Sequence, residues 1–328
     1  MSWQGREEPC ALMREAPAPL SAHYSLLGIP LEVHANASEG MALADEVFGI
    51  WGLPTYGTEK HSLRLHIYLE EDVEAAAVSV EERRLRADDR HLFLSVGQSR
   101  GYADRQEGIA VAVLTPALLA ERVLAQCWFL ECLAMYLACR YRRATLHAAC
   151  VAYQGRGVLL TGRDGVGKST LAYACVRAGF QLVAEDIVFA EPDQPVCVWG
   201  NPWHIHLLPE AISLFPELAR AERTVLLNGE TKLRLQVQDL RADAAVTHIP
   251  VWGVLSLSRS GGFQSVLSPA DPASLRVALT GFKGNVPLDL TAMEAAAGRL
   301  AAGHTAHLNI GTDLQGAIDT ILGWLCVE

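Results

Sequence analysis

The sequence lacks the features that mark nucleic-acid-binding proteins. It contains no run rich in Lys and Arg, and its 328 residues carry a formal net charge of −10. An acidic chain without a basic patch is not attracted to phosphate backbones or to anionic membrane surfaces. We therefore expect neither nucleic acid nor a membrane as a main partner.

The cysteines lack any pattern of pairing. There are eight, with no C-x-x-C pair and no closely spaced Cys/His quartet. Cys127, Cys132 and Cys139 lie together in one apolar stretch, where reduced thiols behave as small apolar side chains. This usage excludes a disulfide framework and predicts a cytoplasmic protein.

Long uninterrupted apolar runs and internal repeats are also missing. Residues 1–19 contain charges and prolines without an apolar core, so we predict a flexible tail and no signal peptide. The stretch Val123–Cys139 is 17 residues long and is interrupted by Gln126 and Glu131. That is short for a membrane span, and we interpret it as a buried helix, with membrane contact as the alternative.

One stretch that is present carries a specific signal. Residues 162–169 match the pattern G-x-x-x-x-G-K-[ST] at every fixed position. Residues 157–161 before it are typical of a buried strand, and residues 170–178 after it have the apolar spacing of a helix. Strand, loop and helix in this order predict a phosphate-binding loop, and a glycine-rich turn that matches by chance is the alternative.

The residue types in this loop suit the binding of a nucleoside triphosphate. Glycines allow the backbone to curl until amide N–H groups and a helix N-terminus face the phosphates. Lys168 can reach the β- and γ-phosphates, and the Ser169 hydroxyl can ligate Mg²⁺. We predict ATP and Mg²⁺ as cofactors. The residues predicted to bind the nucleotide are Gly162, Asp164, Gly165, Val166, Gly167, Lys168, Ser169 and Thr170.

Two carboxylates follow the next predicted strand, residues 180–184. Glu185 and Asp186 stand 17 and 18 residues beyond Lys168. A carboxylate at the end of a strand beside a phosphate loop can ligate Mg²⁺ or take the proton from an attacking hydroxyl. These residues are therefore candidates for metal binding and catalysis, against the alternative of a solvated acidic turn.

The chain divides into two predicted domains. Alternating apolar residues over His61–Leu69 and a helix over Ser38–Phe48 indicate a small N-terminal α/β domain from residue 20 to 114, with a mostly β domain as the alternative. Thr115-Pro116 then opens a single long helix that begins a larger domain over residues 115–328. Nothing before residue 115 forms a catalytic cluster.

Residues around the loop resemble the catalytic domain of HPr serine kinase/phosphorylase. The resemblance rests on His147 and on the segments 157–169 and 179–186. It implies a phosphoenolpyruvate-carboxykinase-like kinase domain with a mixed sheet. It also implies that Asp186 activates a serine hydroxyl, that Glu185 stands where the family has the first of two aspartates, and that His147 lies close to Asp186. We predict Ser169 and Glu185 as the metal ligands.

The sequence departs from that family in two places. The family's E-[IV]-R-G element is replaced by Val198–Asn201, without a carboxylate, and its basic P-G-R-N loop is missing. The comparison therefore implies a kinase without phosphorylase activity and with an acceptor other than HPr. Divergent relatives that phosphorylate a serine on a ribosomal precursor peptide offer the nearest parallel.

Two downstream patterns add candidate site residues. His204 and His206 share one face of a strand; a metal site would need a third ligand, so we interpret them as a sheet surface or a substrate rim. Lys232 and Arg234 likewise share a strand face. We predict that Lys232 or Arg234, with Lys232 as the first candidate, stabilises charge on the transferred phosphoryl group, and an ordinary polar strand face is the alternative.

These observations together predict an ATP- and Mg²⁺-dependent kinase of a hydroxyl, most simply a serine in a peptide or small protein. Two alternatives stay open. The first is a kinase of a free small metabolite, and the second is a regulator that binds ATP without transferring phosphate. The oligomeric state is also open, a homo-oligomer included.

Overall fold

The computed structural model describes residues 17–51, 62–70, 78–193, 195–226, 228–259, 261–281 and 289–326. Most of the predicted tail, residues 1–16, lies outside the described residues. The chain forms two compact units, one ending at Tyr141 and the other beginning at Arg142.

The first unit is built on one mixed sheet with the strand order β1-β2-β3-β7-β6-β5-β4. Its strands are β1 (Leu20–Leu26), β2 (Ile29–Ala35), β3 (Leu63–Leu69), β4 (Arg84–Ala87), β5 (His91–Val96), β6 (Ser99–Asp104) and β7 (Ile109–Leu114). Its longer helical segments are α1 (Ser38–Phe48), α2 (Pro116–Ala120), a π-helix (Leu124–Glu131) and α3 (Cys132–Ala138). An α/β unit is what the sequence predicts for this part of the chain.

Local sequence explains how this sheet begins. β1 and β2 pair antiparallel around a turn at Leu27 and Gly28, whose φ angles of 51° and 75° are left-handed. In β3 the apolar residues Leu63, Leu65 and Ile67 are fully buried, as their alternation predicts. The unit is closed by α1, which packs against β1 and β2.

The prediction of one long helix from Thr115 was wrong. Thr115 caps α2 as expected, but the helix ends at Ala120 because Glu121 leaves the helical region, with φ −86° and ψ 69°. The chain then forms the π-helix before α3. Buried residues recur there at i and i+5, as in Leu124 and Phe129, and i→i+5 hydrogen bonds place such residues on one face.

These helices belong to the first unit, since α3 packs against β3, β6 and β7. The division between the units therefore falls after Tyr141, whereas the sequence predicts it after Leu114. Within the described part of the chain, no helix is both long and apolar enough to cross a membrane.

The second unit contains a larger mixed sheet with the order β11-β9-β10-β17-β13-β12-β8, extended from β17 by β19 and then β18. Its strands are β8 (Ala144–His147), β9 (Ala149–Tyr153), β10 (Arg156–Thr161), β11 (Gln181–Ala184), β12 (Ile187–Glu191), β13 (Cys197–Trp199), β17 (His248–Arg259), β18 (Val266–Ser268) and β19 (His304–Ile310). A separate antiparallel sheet, ordered β14-β16-β15, contains β14 (His204–Leu207), β15 (Glu222–Val225) and β16 (Thr231–Gln236). The helices are α4 (Lys168–Arg177), α5 (Pro272–Thr280), α6 (Leu290–Ala301) and α7 (Leu314–Leu325).

Both faces of the larger sheet are buried. Leu160 of β10 packs into a core shared with α4 and α7, whereas its neighbour Leu159 packs into a second core shared with α5 and α6. Successive side chains of β10 point to opposite faces of the sheet and thus pack against the helices on both sides. The predicted α/β class and mixed sheet are confirmed for this unit.

Strand direction determines where the site forms. β10 and β19 both run parallel to β17, so the carboxyl ends of all three lie at one edge of the sheet. The chain leaves β10 at this edge, forms residues 162–167 and enters α4. Ligands of α/β proteins bind outside the carboxyl ends of such strands.

Candidate active site

The loop between β10 and α4 requires its glycines. Gly162, Gly165 and Gly167 have φ angles of 154°, 76° and 106°, in a region that other residues rarely adopt. A Cβ atom on Gly162 would also lie 2.9 Å from the carbonyl oxygen of Leu257. The loop therefore has the backbone freedom that a phosphate cradle needs.

Lys168 is folded back over this loop. Its side chain is only 7% exposed, and its ammonium donates to the carbonyl oxygen of Gly162 at 3.1 Å. Asp164 lies 3.6 Å from the same ammonium and is largely exposed. A polyphosphate in the loop would face a buried cation that is held in place by backbone and carboxylate oxygens.

Ser169, Glu185 and His206 form a connected polar group. The Ser169 hydroxyl donates to Glu185 Oε1 at 2.7 Å. Glu185 Oε2 accepts from the backbone N–H of His206 at 3.0 Å and lies 3.2 Å from its ring Nδ1. The structure thus brings the two predicted metal ligands together and adds His206, which the sequence predicted only as part of a sheet surface or a substrate rim.

The donor chemistry of this group fits Mg²⁺. A hydroxyl and a carboxylate are hard oxygen donors, which Mg²⁺ combines with phosphate oxygens and water. Ser169 and Glu185 would hold the ion. His206 would orient the carboxylate, since groups that hydrogen-bond a ligating side chain fix its position.

Asp186 is paired with His147. Nε2 of His147 lies 3.2 Å from Oδ1 of Asp186, a hydrogen-bonding distance, because β8 and β12 pair with His147 opposite Ile187. This hydrogen bond lowers the pKa of Asp186, the charges of His147, Lys168 and Lys232 lower it further, and burial opposes them. The Asp186 side chain is 57% exposed, so its ionised carboxylate is accessible to a molecule that binds beside the loop.

Lys232 and Arg234 lie on one face of β16 but have different surroundings. Lys232 is close enough to Asp186 for its charge to lower that carboxyl's pKa, and its ammonium is 3.6 Å from Glu230. Arg234 instead donates to Nε2 of His204 at 2.8 Å. The geometry favours Lys232 over Arg234 as the cation beside the carboxylate.

The two histidines of β14 also have separate partners. His204 is bound by Arg234, and burial, reinforced by that positive charge, lowers its pKa to about 4. His206 is bound to Glu185. In the described ranges, neither belongs to a group of three potential metal ligands among His, Cys, Asp and Glu side chains.

One group of three potential metal ligands lies in the larger sheet of this unit. Potential ligand atoms of Glu191, Cys197 and His248 come within 4.8 Å of one another. Glu191 is already bound, since its Oε1 accepts from Trp199 at 2.6 Å and pairs with Arg143 at 3.0 Å. These contacts account for the carboxylate without a metal.

Arg259, the last residue of β17, is a residue near the loop that the sequence did not predict. Its Nη2 and Nε lie 3.1 and 3.4 Å from the position that a Cβ atom on Gly167 would occupy. No motif in the sequence includes Arg259. Its proximity to the loop arises only from the parallel pairing of β10 with β17.

A strand, a glycine-rich loop and a helix, with Lys168 over the loop and two carboxylates beside it, form the arrangement expected of a phosphate-binding loop in an α/β protein. Residues 140–207 match the family model of the HPr serine kinase C-terminal domain. This segment is HPr-kinase-related, and the prediction of a divergent relative of that family is confirmed.

Curated relatives give the same result over a limited length. The HPr kinase/phosphorylase of Streptococcus mutans is 32% identical over 120 residues, which is 35% of each chain. That of Lactobacillus delbrueckii subsp. bulgaricus is 40% identical over 80 residues, covering 24% of this chain and 25% of the relative. The chain thus matches about a third of these relatives' length or less.

A solved structure, the Hpr(Ser) kinase/phosphatase of Coxiella burnetii, aligns with 55% of this chain and 93% of its own. The identity is 18% and the TM-score 0.29. An overlap of this size does not define a shared fold, so the fold assignment rests on the sheets described above.

Proposed function

We propose that the second unit is an ATP- and Mg²⁺-dependent kinase that phosphorylates a hydroxyl, most simply a serine in a peptide or small protein. The observation that supports this most directly is the Asp186 carboxylate, held by His147 at 3.2 Å and influenced by the charges of Lys168 and Lys232. The related proteins that match this segment are named HPr kinase/phosphorylase.

In this mechanism Asp186 accepts the proton of the acceptor hydroxyl. The acceptor oxygen forms a bond to the γ-phosphorus as the bond from that phosphorus to the β–γ bridging oxygen breaks. ADP leaves with the electron pair, and the proton resides on Asp186 until solvent removes it. Lys168 and Lys232 offset the negative charge that spreads over the transferred group.

Ser169 and Glu185 would hold Mg²⁺ in this site. The ion, when bound, neutralises charge on the β- and γ-phosphate oxygens. Glu185 is kept in position by its two contacts with His206, at 3.0 and 3.2 Å. His147 has the corresponding task for Asp186, because its hydrogen bond fixes the carboxylate's orientation.

A serine in a peptide other than HPr is the proposed acceptor. Val198–Asn201 provides no carboxylate where HPr kinases carry their E-[IV]-R-G element, and no P-G-R-N loop occurs in the sequence. A kinase of a free metabolite is the second candidate. A regulator that only binds ATP is less consistent with the site, because Asp186 would then have no reaction to serve. A cytoplasmic location and a phosphoenolpyruvate-carboxykinase-like arrangement are part of the proposal.

The test is transfer of label from γ-labelled ATP with Mg²⁺ into cell extract, candidate peptides and a panel of metabolites. Wild type is compared with Asp186→Asn and Lys168→Ala. Label that reaches a peptide or protein only with wild type supports the proposal and identifies the acceptor. Label found only in a metabolite would favour the second candidate. ATP binding without transfer to any fraction would contradict a kinase.

A further inference from the structure

We propose that Arg259 binds the polyphosphate chain of the nucleotide and completes the phosphate site from the side of β17. The inference rests on the proposed function in one respect, namely that the loop binds a nucleoside triphosphate. It assigns a role to a residue outside the loop motif and outside both carboxylate positions.

The location of Arg259 follows from the topology. Thr161, the last residue of β10, is opposite Ser256 of β17 in a parallel pair, and β17 continues to Arg259. Its guanidinium therefore reaches the same edge as the phosphate loop. There it lies against Gly167, with Nη2 3.1 Å from where a Cβ atom on that residue would be.

Gly167 meets two requirements at this point. Its φ angle of 106° is rarely adopted by other residues, and the absence of a side chain leaves room for the guanidinium. The next residue is Lys168, whose ammonium lies over the start of the loop. Cations from two different elements thus converge on one short stretch of backbone.

The side chain of Arg259 differs from the other cations around the site in its contacts. Lys168 donates to the carbonyl oxygen of Gly162, Lys232 lies 3.6 Å from Glu230, and Arg234 donates to His204. The backbone of Arg259 pairs with Ile310 of β19, but its side chain has no hydrogen bond or ion pair with any residue that the structure describes. The side chain is exposed, so its donors are available to a ligand.

Phosphate oxygens are the ligand chemistry that this arrangement recognises. A guanidinium offers a rigid fork of N–H donors that matches phosphate geometry and keeps its charge at any physiological pH. Beside loop amides and a lysine, its natural target is the triphosphate chain, and a base stacked on the guanidinium is the competing contact.

The experiment is a calorimetric titration with two probes, Mg·ATP and Mg·tripolyphosphate, the second of which lacks the nucleoside. Wild type is compared with Arg259→Gln and Arg259→Lys. The matched control is Arg276→Gln on α5, which removes the same charge from an exposed ion pair with Glu294. Circular dichroism melting checks that each variant folds.

We expect Arg259→Gln to weaken both probes about 10- to 100-fold, the effect of losing a charge-assisted contact. The affinity of Arg259→Lys for each probe should fall between those of Arg259→Gln and wild type. The affinity of Arg276→Gln should equal that of wild type. If Arg259→Gln bound both probes as tightly as wild type does, the inference would be overturned and the proposed function would stand. A loss confined to ATP would also overturn it, because the guanidinium would then contact the nucleoside.

Two further outcomes separate the inference from the function on which it rests. If wild type bound neither probe, both would be overturned. If binding of both probes depended on Arg259 but no acceptor were ever phosphorylated, the proposed kinase function would be wrong. The inferred contact between Arg259 and the phosphates would then be correct.

Discussion

At the scale of single residues, the site depends on carboxylates whose partners lie far away in sequence. His147 precedes Asp186 by 39 residues, and His206 follows Glu185 by 21. His147 lies 3.2 Å from Asp186 and 3.6 Å from Asp164, whereas His206 contacts Glu185, so Asp186 and Glu185 have different histidine partners. This difference is consistent with the proposed roles, in which Asp186 accepts a proton and Glu185 holds the metal.

The pH dependence of transfer tests the first pair. The pKa of Asp186 is lowered chiefly by its hydrogen bond with His147. Only the ionised carboxylate can accept a proton, so activity is present above this pKa and is lost as the pH falls through it. In His147→Ala the pKa of Asp186 rises, and the acid limb of the rate profile moves to higher pH.

The profile is measured with saturating Mg·ATP from about pH 4 to pH 8, the range in which carboxyl and imidazole groups titrate. His91→Ala, a change in the first unit, is the control and should leave the acid limb in place. An acid limb at the same pH in His147→Ala would show that the hydrogen bond does not tune Asp186.

The metal requirement tests the second pair. Glu185→Gln keeps the size of the side chain but removes the charge that would hold Mg²⁺. We expect the Mg²⁺ concentration for half-maximal rate to rise about 10- to 100-fold. In His206→Ala, which removes only the orienting ring, it should rise less, with little change in kcat.

Initial rates at saturating ATP, measured as a function of free Mg²⁺, give both the Mg²⁺ concentration for half-maximal rate and kcat. Arg276→Gln again serves as the control. An unchanged Mg²⁺ dependence in Glu185→Gln would mean that this carboxylate does not bind the metal, and Ser169 would need another partner.

At the scale of elements, β11 is fixed in place by a glycine. A Cβ atom on Gly200, just after β13, would lie 2.0 Å from the carbonyl oxygen of Val183 and 2.8 Å from Cβ of Ala184. Backbone atoms cannot move aside as a flexible side chain can. The close approach holds the strand that leads into Glu185 and Asp186.

Gly200→Ala should therefore destabilise the second unit by about 3 kcal/mol, the cost of overpacking a rigid site. Gly298→Ala is the matched control. It lies inside α6, nothing is within 4 Å of its added Cβ, and it should stabilise the helix by about 0.5–1 kcal/mol. Denaturant unfolding measures both, and a near-neutral Gly200→Ala would contradict the packing argument.

Elements with a strong local pattern could be predicted from the sequence. The strand–loop–helix unit, the alternation of β3 and the extent of α1 follow from residue order and apolar spacing alone. The break at Glu121 and the π-helix could not be predicted in this way, because a broad apolar face fits a continuous helix equally well. The alanine-rich α6 and the polar strand β19 were not predicted, because many alanines and alternating polar residues give only weak apolar periodicity.

The same limit explains what was missed at the site. The loop and both carboxylates have a recognisable local context, and the resemblance to HPr kinase added His147. His206 and Arg259 have none, because only the pairing of strands brings them there. Their residue types and strand positions are visible in the sequence, but their neighbours are not.

At the scale of the whole molecule, the cysteines are distributed so that each unit contains its own buried thiols. Cys132 lies in the first unit, and Cys150 and Cys175 lie in the second. Burial raises the pKa of Cys132 and of Cys175 to about 12, and raises that of Cys150 as well. Cys127 and Cys326 are exposed. Labelling with a thiol reagent therefore reports the opening of each unit separately.

Binding of Mg·ATP should then slow the labelling of Cys150 and Cys175, because a ligand that binds only the folded site stabilises it by mass action. At a concentration of 100 times Kd the stabilisation is about 2.7 kcal/mol, and labelling that requires the site to unfold slows by up to about 100-fold. Mass spectrometry of pulse-labelled protein measures each cysteine in one sample, with the exposed Cys127 and Cys326 as internal references that should label rapidly throughout. Slower labelling of Cys150 and Cys175 in wild type, and its loss in Lys168→Ala, would show that the nucleotide binds at the loop; equal labelling with and without Mg·ATP would contradict that site.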